Sequence, residues 1–204
     1  MASDLEVFDC EQGSPEWFAA RCGIPTASEF STAQAKGRSG SDSVTRRKYL
    51  LTLAGEILTG EVADKWEGNR HTERGKLLEP EARRAYAFAN DCEPQQVGFM
   101  KRCGAGASPD SLVGDRGLLE IKTKLPHLQL EALESKRLPP EHVAQVQGQL
   151  WISGRDWCDF VSYWPGLPIF QIRVHRDEAY IAALSVAVAE FNAEIAAVVN
   201  KYRN

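Results

Sequence analysis

Apolar and polar residues switch between helical and strand periods along this chain, and the switches lay out its elements. "GSPEWFAARCG" (13–23) offers Ser14 as N-cap, Pro15 in the first turn and Gly23 as a stop, which predicts a short helix. In "PTASEFSTAQAKG" (25–37), Thr26 and Glu29 have capping-box spacing, predicting a second helix with Ser28 in its first turn. The polar "GRSGSDS" predicts a flexible loop with Lys36 and Arg38 at its edge. "VTRRKYLLTLAGEILTG" repeats apolar residues at helical spacing through Tyr49, Leu50, Leu53, Ile57 and Leu58 and ends at Gly60. "HTERGKLLEPEARRAYAFAN" predicts a helix after Gly75 that buries Leu77, Leu78, Ala82, Ala85, Tyr86 and Ala89, with Pro80 in its first turn or at a kink.

The period then falls to two. "QVGFMKR", "ASPDSLV" and "GLLEIKTK" predict three strands, the last two joined by a tight "GDRG" turn. Two helices follow, "HLQLEALESK" and "PPEHVAQVQGQLWISG". Two further strands, "WCDFVSYW" and "PIFQIRVH", precede a closing helix from Asp177 onward. There is no internal repeat and no long linker. The expectation is a single α/β domain over residues 1–204 with a mixed central sheet.

Composition changes this picture little. With 204 residues, 43% hydrophobic and 25% charged, the chain has ordinary globular make-up. No apolar run stands out as a membrane span, and "MASDLEVFDC" lacks the basic start and apolar core of a signal peptide, so the expected address is the cytoplasm, with no membrane partner. Five scattered cysteines without a C-x-x-C pair predict reduced thiols. The formal net charge of −4 argues against a nucleic-acid partner only as a total. Arg21, Lys36, Arg38, Arg46, Arg47 and Lys48 concentrate in the first quarter, which fits either a basic face on an acidic body or plain solvated helix surface.

Candidate chemistry gathers in "SPDSLVGDRGLLEIKTK" (108–124). Alternate strand residues share a face, so Glu120 and Lys122 point one way and Leu119 and Ile121 the other. The apolar face is expected to pack and the charged face to stay open. A turn at GDRG brings Asp110 back beside Glu120, and two carboxylates with a backbone carbonyl between them form a hard oxygen site suited to Mg²⁺. A lysine two residues on can activate water or steady charge building on a phosphate. An amphipathic hairpin with an exposed salt bridge has the same spacing.

"SPDSLV…GLLEIKTK" resembles the PD-(D/E)xK nuclease core in the form found in the lambda exonuclease (YqaJ-type viral recombinase) family. "EWFAARCGIPTASEF" is similar to that family's N-terminal signature, "GKLLEPEARRAY" to its next block and "HVAQVQGQLW" to its glutamine helix. The four blocks keep the family's order from about residue 12 to residue 151.

The resemblance implies a restriction-endonuclease-like core, a mixed central β-sheet flanked by helices. It implies that Asp110, Glu120 and the carbonyl of Ile121 hold metal, with Lys122 as catalytic lysine and Glu79 as an upstream acidic ligand or catalytic group. Gln145 would hold the scissile phosphate or the attacking water. Arg21, Ser28 and Ser108 would grip a 5′-terminal phosphate, and Lys36 and Arg38 would meet the DNA strand. The cofactor implied is Mg²⁺, two ions per site, with Mn²⁺ able to substitute.

The activity implied is 5′→3′ digestion of one strand of linear double-stranded DNA to 5′-mononucleotides, leaving 3′ tails for recombination. A ring-shaped homotrimer, a single-strand annealing protein as partner and a phage or prophage origin come with it. Two other readings share the motif: an endonuclease of the same core, and a non-catalytic module that binds DNA ends. Ser28 at a capped helix N-terminus supports the phosphate assignment independently. Val143, Val146 and Leu150 form an apolar stripe beside a polar line of His142, Gln145 and Gln149, so Gln145 can face the site, with Gln147 as the alternative. His142 is expected to pack or to contact phosphate. Pro80, next to Glu79, departs from the family pattern.

Overall fold

The computed structural model describes residues 5–37, 43–62 and 70–203; Arg38 and most of its predicted loop lie outside them. The elements run β1 (Glu6–Phe8), α1 (Pro15–Arg21), a 3₁₀ turn (Ala27–Glu29) leading into α2 (Phe30–Ala33), α3 (Val44–Thr59) and α4 (Arg70–Asn90). Then come β2 (Phe99–Arg102), β3 (Ala105–Ala107), β4 (Ser111–Val113), β5 (Gly117–Lys122), α5 (Pro126–Ser135), a 3₁₀ turn (Pro140–His142) and α6 (Val143–Ser153). The strands β6 (Trp157–Ser162) and β7 (Phe170–His175) and the helix α7 (Glu178–Tyr202) close the chain.

The strands form two sheets rather than one. β1, β2 and β3 make an antiparallel three-stranded sheet. A mixed four-stranded sheet runs β4-β5-β6-β7, parallel at β5–β6 and antiparallel at its outer pairs. The predicted strand "ASPDSLV" is therefore two strands in different sheets. Its alternation is real, but Pro109 has no N–H to give to a ladder, and the chain crosses between sheets at Ser108–Asp110. Gln12 pins the crossing, donating from Nε2 to the Pro109 carbonyl at 3.0 Å and to that of Val97 at 2.8 Å. The expected antiparallel hairpin does form at β4–β5, with Ser111 opposite Leu119.

Three other expectations change. The second helix is a 3₁₀ turn plus one α turn, and Thr26 makes no capping bond: its backbone N–H goes to Tyr49 and its hydroxyl meets Ser28 and Arg21. α4 starts before Gly75 and runs through Pro80. Among its described side chains only the Ala82–Tyr86 line is fully covered, while Leu77 stays 78% exposed. Finally, α7 has 25 residues and a mean hydropathy of 1.6 over its most apolar window, so length and composition alone admit a membrane span. In this fold Ile181, Leu184, Val188, Phe191, Ile195 and Val199 pack inward along one face, and alanines dilute the other.

α6 is the keystone. On one side it packs with the three-stranded sheet and α7, through Ala144, Ile152, Met100 and Leu184; on the other it covers the four-stranded sheet, through Val146, Leu150, Leu118 and Phe160. The Phe30 ring lies so close to Gly148 that a β-carbon would not fit there, which lets α6 sit deep. The opposite face of the four-stranded sheet is covered by α4, where Ala82 and Tyr86 meet Leu119, Ile121 and Val161.

Candidate active site

β5 alternates as its sequence requires: Leu119 and Ile121 enter the α4 side and Glu120 and Lys122 the α6 side. The charged face is not open, however, because α6 lies across it. Glu120 is only 2% exposed, and its buried carboxylate is matched by donors. Lys122 Nζ and Gln145 Nε2 both reach Oε1 at 2.6 Å, and Gln149 Nε2 reaches Oε2 at 2.6 Å. Gln145 and Gln149 stand four residues apart on α6 and therefore share a face.

Asp110 comes in from the crossing between sheets, and its Oδ2 accepts the backbone N–H of Ile121 at 2.6 Å. Burial, then the charges of Glu120 and Glu79, push its carboxyl well above the usual carboxylate range, against the opposing pull of Lys122 and the Ile121 N–H. For Lys122, burial is the largest single influence and works to lower its pKa. Glu120, Asp110 and Glu79 together outweigh it, so the ammonium is held more firmly than in water.

The donor set suits a hard divalent cation. Asp110 and Glu120 offer oxygen only, and a strand residue sends its C=O to the same edge as its N–H, so the Ile121 carbonyl faces Asp110. The mutual charge that raises Asp110 is what a cation between the two would relieve. Glu79 does not complete the set in this arrangement. α4 carries it near enough for its charge to act on Asp110, but its carboxylate pairs with Arg83. Arg83 in turn donates to Ser111 Oγ at 2.9 Å and to the Asp110 carbonyl at 3.3 Å. Among the described residues no three His, Cys, Asp or Glu side chains converge on one point. Arg83 is a partner that the motifs do not mark; its signal in the sequence is the four-residue spacing from Glu79 on a helix.

Arg21 lies at the end of α1 with its guanidinium 3.9 Å from the centroid of the Trp17 ring. Its hydrogen bonds are long, 3.5 Å to Ser108 Oγ and 3.4 Å to Thr26 Oγ1. Burial lowers its pKa to about 10, so it remains a cation at neutral pH. Trp17 Nε1 donates to Ser108 Oγ at 2.9 Å, and Ser28 Oγ lies 3.2 Å from Thr26 Oγ1. With no capped helix behind Ser28, these hydroxyls and the guanidinium, rather than a helix dipole, make this end attractive to an anion.

A cavity of about 180 Å³ joins the two ends: Arg21, Ser28 and Ser108 line it together with Asp110, Glu120, Lys122, Gln145 and Gln149. A larger hollow of about 540 Å³ between Leu77, Leu78, Trp164 and Pro165 contains none of these groups. Besides Glu79, held by Arg83, and Ile121, whose side chain enters the α4 side, three described sequence candidates stand outside the cavity lining. Gln147 ties α6 to the β7–α7 junction, donating to the His175 carbonyl at 2.9 Å and accepting from the Asp177 N–H at 3.0 Å. The His142 ring packs 5.0 Å from that of Phe160, and burial, then Lys122 and Lys124, lower its pKa to about 4. Lys36 is exposed beyond α2.

Residues 16–156 match the model of the YqaJ-like viral recombinase domain. The chain is similar to an alkaline exonuclease (LHK-Exo) from Laribacter hongkongensis, at 37% identity over 92% of this chain and 95% of that one, with a TM-score of 0.83. The structure of LHK-Exo in complex with dAMP matches with the same identity and coverage and a TM-score of 0.84. A phage related exonuclease from Haemophilus somnus 129PT shares the fold at 16% identity, covering 87% of this chain and 96% of that one, with a TM-score of 0.66. No curated protein matches the chain. On the family match and the similarity to the alkaline exonuclease, this chain belongs to the YqaJ-like viral recombinase family and has the mixed α/β fold of an exonuclease that acts on DNA.

Proposed function

We propose that the protein is a Mg²⁺-dependent 5′→3′ exonuclease that digests one strand of linear double-stranded DNA to 5′-mononucleotides. The observation that carries this reading is the single cavity in which a guanidinium and two serine hydroxyls face two carboxylates and a lysine. The family match and the similarity to an enzyme solved with dAMP, a nucleoside monophosphate, support the same reading.

Asp110, Glu120 and the Ile121 carbonyl would hold the divalent ion, with Glu79 joining when its pairing with Arg83 gives way. The bound ion supplies Lewis-acid stabilisation of charge on the phosphate and favours ionised water. Lys122 places its ammonium beside the carboxylates, where it balances charge on the reacting phosphate. Gln145 fixes Glu120 and borders the space the phosphate would enter. Arg21, Ser108 and Ser28 would bind the terminal phosphate of the strand being cut, leaving the next phosphodiester near Asp110 and Glu120. Lys36 and Arg38 would touch the strand outside the cavity. A closed homotrimer around DNA, a single-strand annealing partner and action in the host cytoplasm complete the proposal.

The test uses labelled linear duplexes with a 5′-phosphate or a 5′-hydroxyl, incubated with Mg²⁺, with Mn²⁺ or with EDTA. Mononucleotide release from the 5′-phosphorylated end with either metal ion and not with EDTA is expected. Internal cuts without an end requirement would make the chain an endonuclease, and end binding without cleavage would make it a binding module.

A further inference from the structure

Gln149 has one committed end and one uncommitted end. Its Nε2 donates to Glu120 Oε2 at 2.6 Å, and this bond dictates how the amide is turned, since the opposite orientation would set two acceptors against each other. The residue is 1% exposed, and its Oε1 is buried without a hydrogen-bond partner among the described residues. Native interiors seldom leave such an acceptor unmet. Gln149 also lines the cavity shared with Asp110 and Lys122, and about 180 Å³ is room for several water molecules at about 30 Å³ each. The donor that fits is water inside the site.

We infer that Gln149 is a positioning residue of the site: Nε2 holds the Glu120 carboxylate plane and Oε1 orients a water molecule on the side of Asp110 and Glu120. The inference rests on the nuclease reading above. Gln145 and Gln149 act as a pair, one amide to each oxygen of Glu120, so the carboxylate cannot rotate away when a cation arrives. This is the outer support that orients a metal-binding carboxylate, and its loss costs about 10- to 100-fold in metal affinity or activity.

The test compares the full wild-type chain with Gln149→Met, which keeps length and loses both polar atoms, and with Gln149→Glu, which keeps length and acceptors and loses the donor. Binding of Mg²⁺ alone is measured by calorimetry, thermal unfolding by circular dichroism, and kcat and KM on 5′-phosphorylated duplex. Gln149→Met is expected to bind Mg²⁺ about 10-fold more weakly, and both variants to lose about 10- to 100-fold in kcat, with KM for DNA unchanged. If Gln149→Met fails to fold, the kcat of Gln149→Glu decides. A folded variant with wild-type Mg²⁺ affinity and wild-type kcat overturns the inference, whatever its melting temperature. A wild-type chain that binds Mg²⁺ yet cuts no DNA overturns the nuclease reading, while the Mg²⁺ comparison still judges Gln149.

Discussion

Two neighbouring strands of one sheet each bury a carboxylate, on opposite faces, and the two are built differently. Asp159 on β6 is fully buried on the α4 side. Its Oδ1 accepts from Arg173 Nε at 2.8 Å; its Oδ2 accepts from Arg173 Nη2 at 2.8 Å, the Tyr86 hydroxyl at 2.6 Å and Gln171 at 3.2 Å. It lines neither of the two cavities described above. Glu120 on β5 is as well provided with donors, but a second carboxylate stands beside it and both border open space. Burial and good hydrogen bonding thus mark structure as readily as function. What separates the sites is an excess of negative charge facing a cavity.

The comparison is sharpest in two carboxylate-to-amide replacements of opposite consequence. Asp110→Asn is expected to cut DNA about 10²–10³-fold more slowly, the scale of losing one preorganised electrostatic group. It should also melt higher than wild type in EDTA. The Asp110 carboxyl is harder to ionise in the fold than in the unfolded chain, so its charge subtracts from stability above the unfolded pKa, and removing that charge restores it. Near-wild-type cleavage, or a lower melting temperature without metal, would break the contrast. Asp159→Asn should do the reverse, losing about 2–3 kcal/mol of stability as charge-assisted bonds disappear, while molecules that remain folded cleave at the wild-type rate. Chemical denaturation and active-site-normalised rates measure both halves.

The far end of the cavity offers a smaller test. Arg21→Ala should erase a preference of about 10-fold or more for 5′-phosphate over 5′-hydroxyl ends, a charge-assisted contact being worth about that much. Cleavage of 5′-hydroxyl duplex should stay as it was. Equal wild-type rates on the two ends would remove the phosphate pocket. The smallest effect is set by His142. Its folded pKa, about 4, lies below its unfolded value near 6.5, so the unfolded chain binds the extra proton between them. The stability due to keeping it neutral is complete above about pH 6.5 and drains as pH falls toward 4. His142→Phe should keep about 1 kcal/mol more of its stability than wild type on going from pH 7 to 5.5. Parallel losses in the two proteins would mean that His142 is protonated in the fold.

Which parts of this were legible in the sequence follows from the range of the forces involved. Strand alternation places Glu120 and Lys122 on one face whatever surrounds them, and helical spacing aligns Gln145 with them; both are properties of a few consecutive residues. Whether that face is open is not local. It depends on α6 wedging between two sheets, and that depends on a ring from residue 30 seating against Gly148. Gln149 and Arg83 gain their meaning only from that packing. The capping box at Thr26 fails for a similar reason, because Tyr49 and Arg21, distant or outside the motif, take its groups first. "ASPDSLV" reads as one strand because its alternating burial continues across Pro109, while its ladder does not.

The crossing at Ser108–Pro109–Asp110 acts as a ruler under the proposed function. Ser108 stands at the end of the cavity that would hold the terminal phosphate, and Asp110 at the end that would cut. Two residues of chain span at most about 7 Å, and the proline stiffens the interval. The distance from the anchored end to the cut is then a property of covalent bonds, independent of the base being removed. Product length would be uniform across sequences, and a residue inserted beside Pro109 would change the length of the fragment released before it changed the chemistry that releases it.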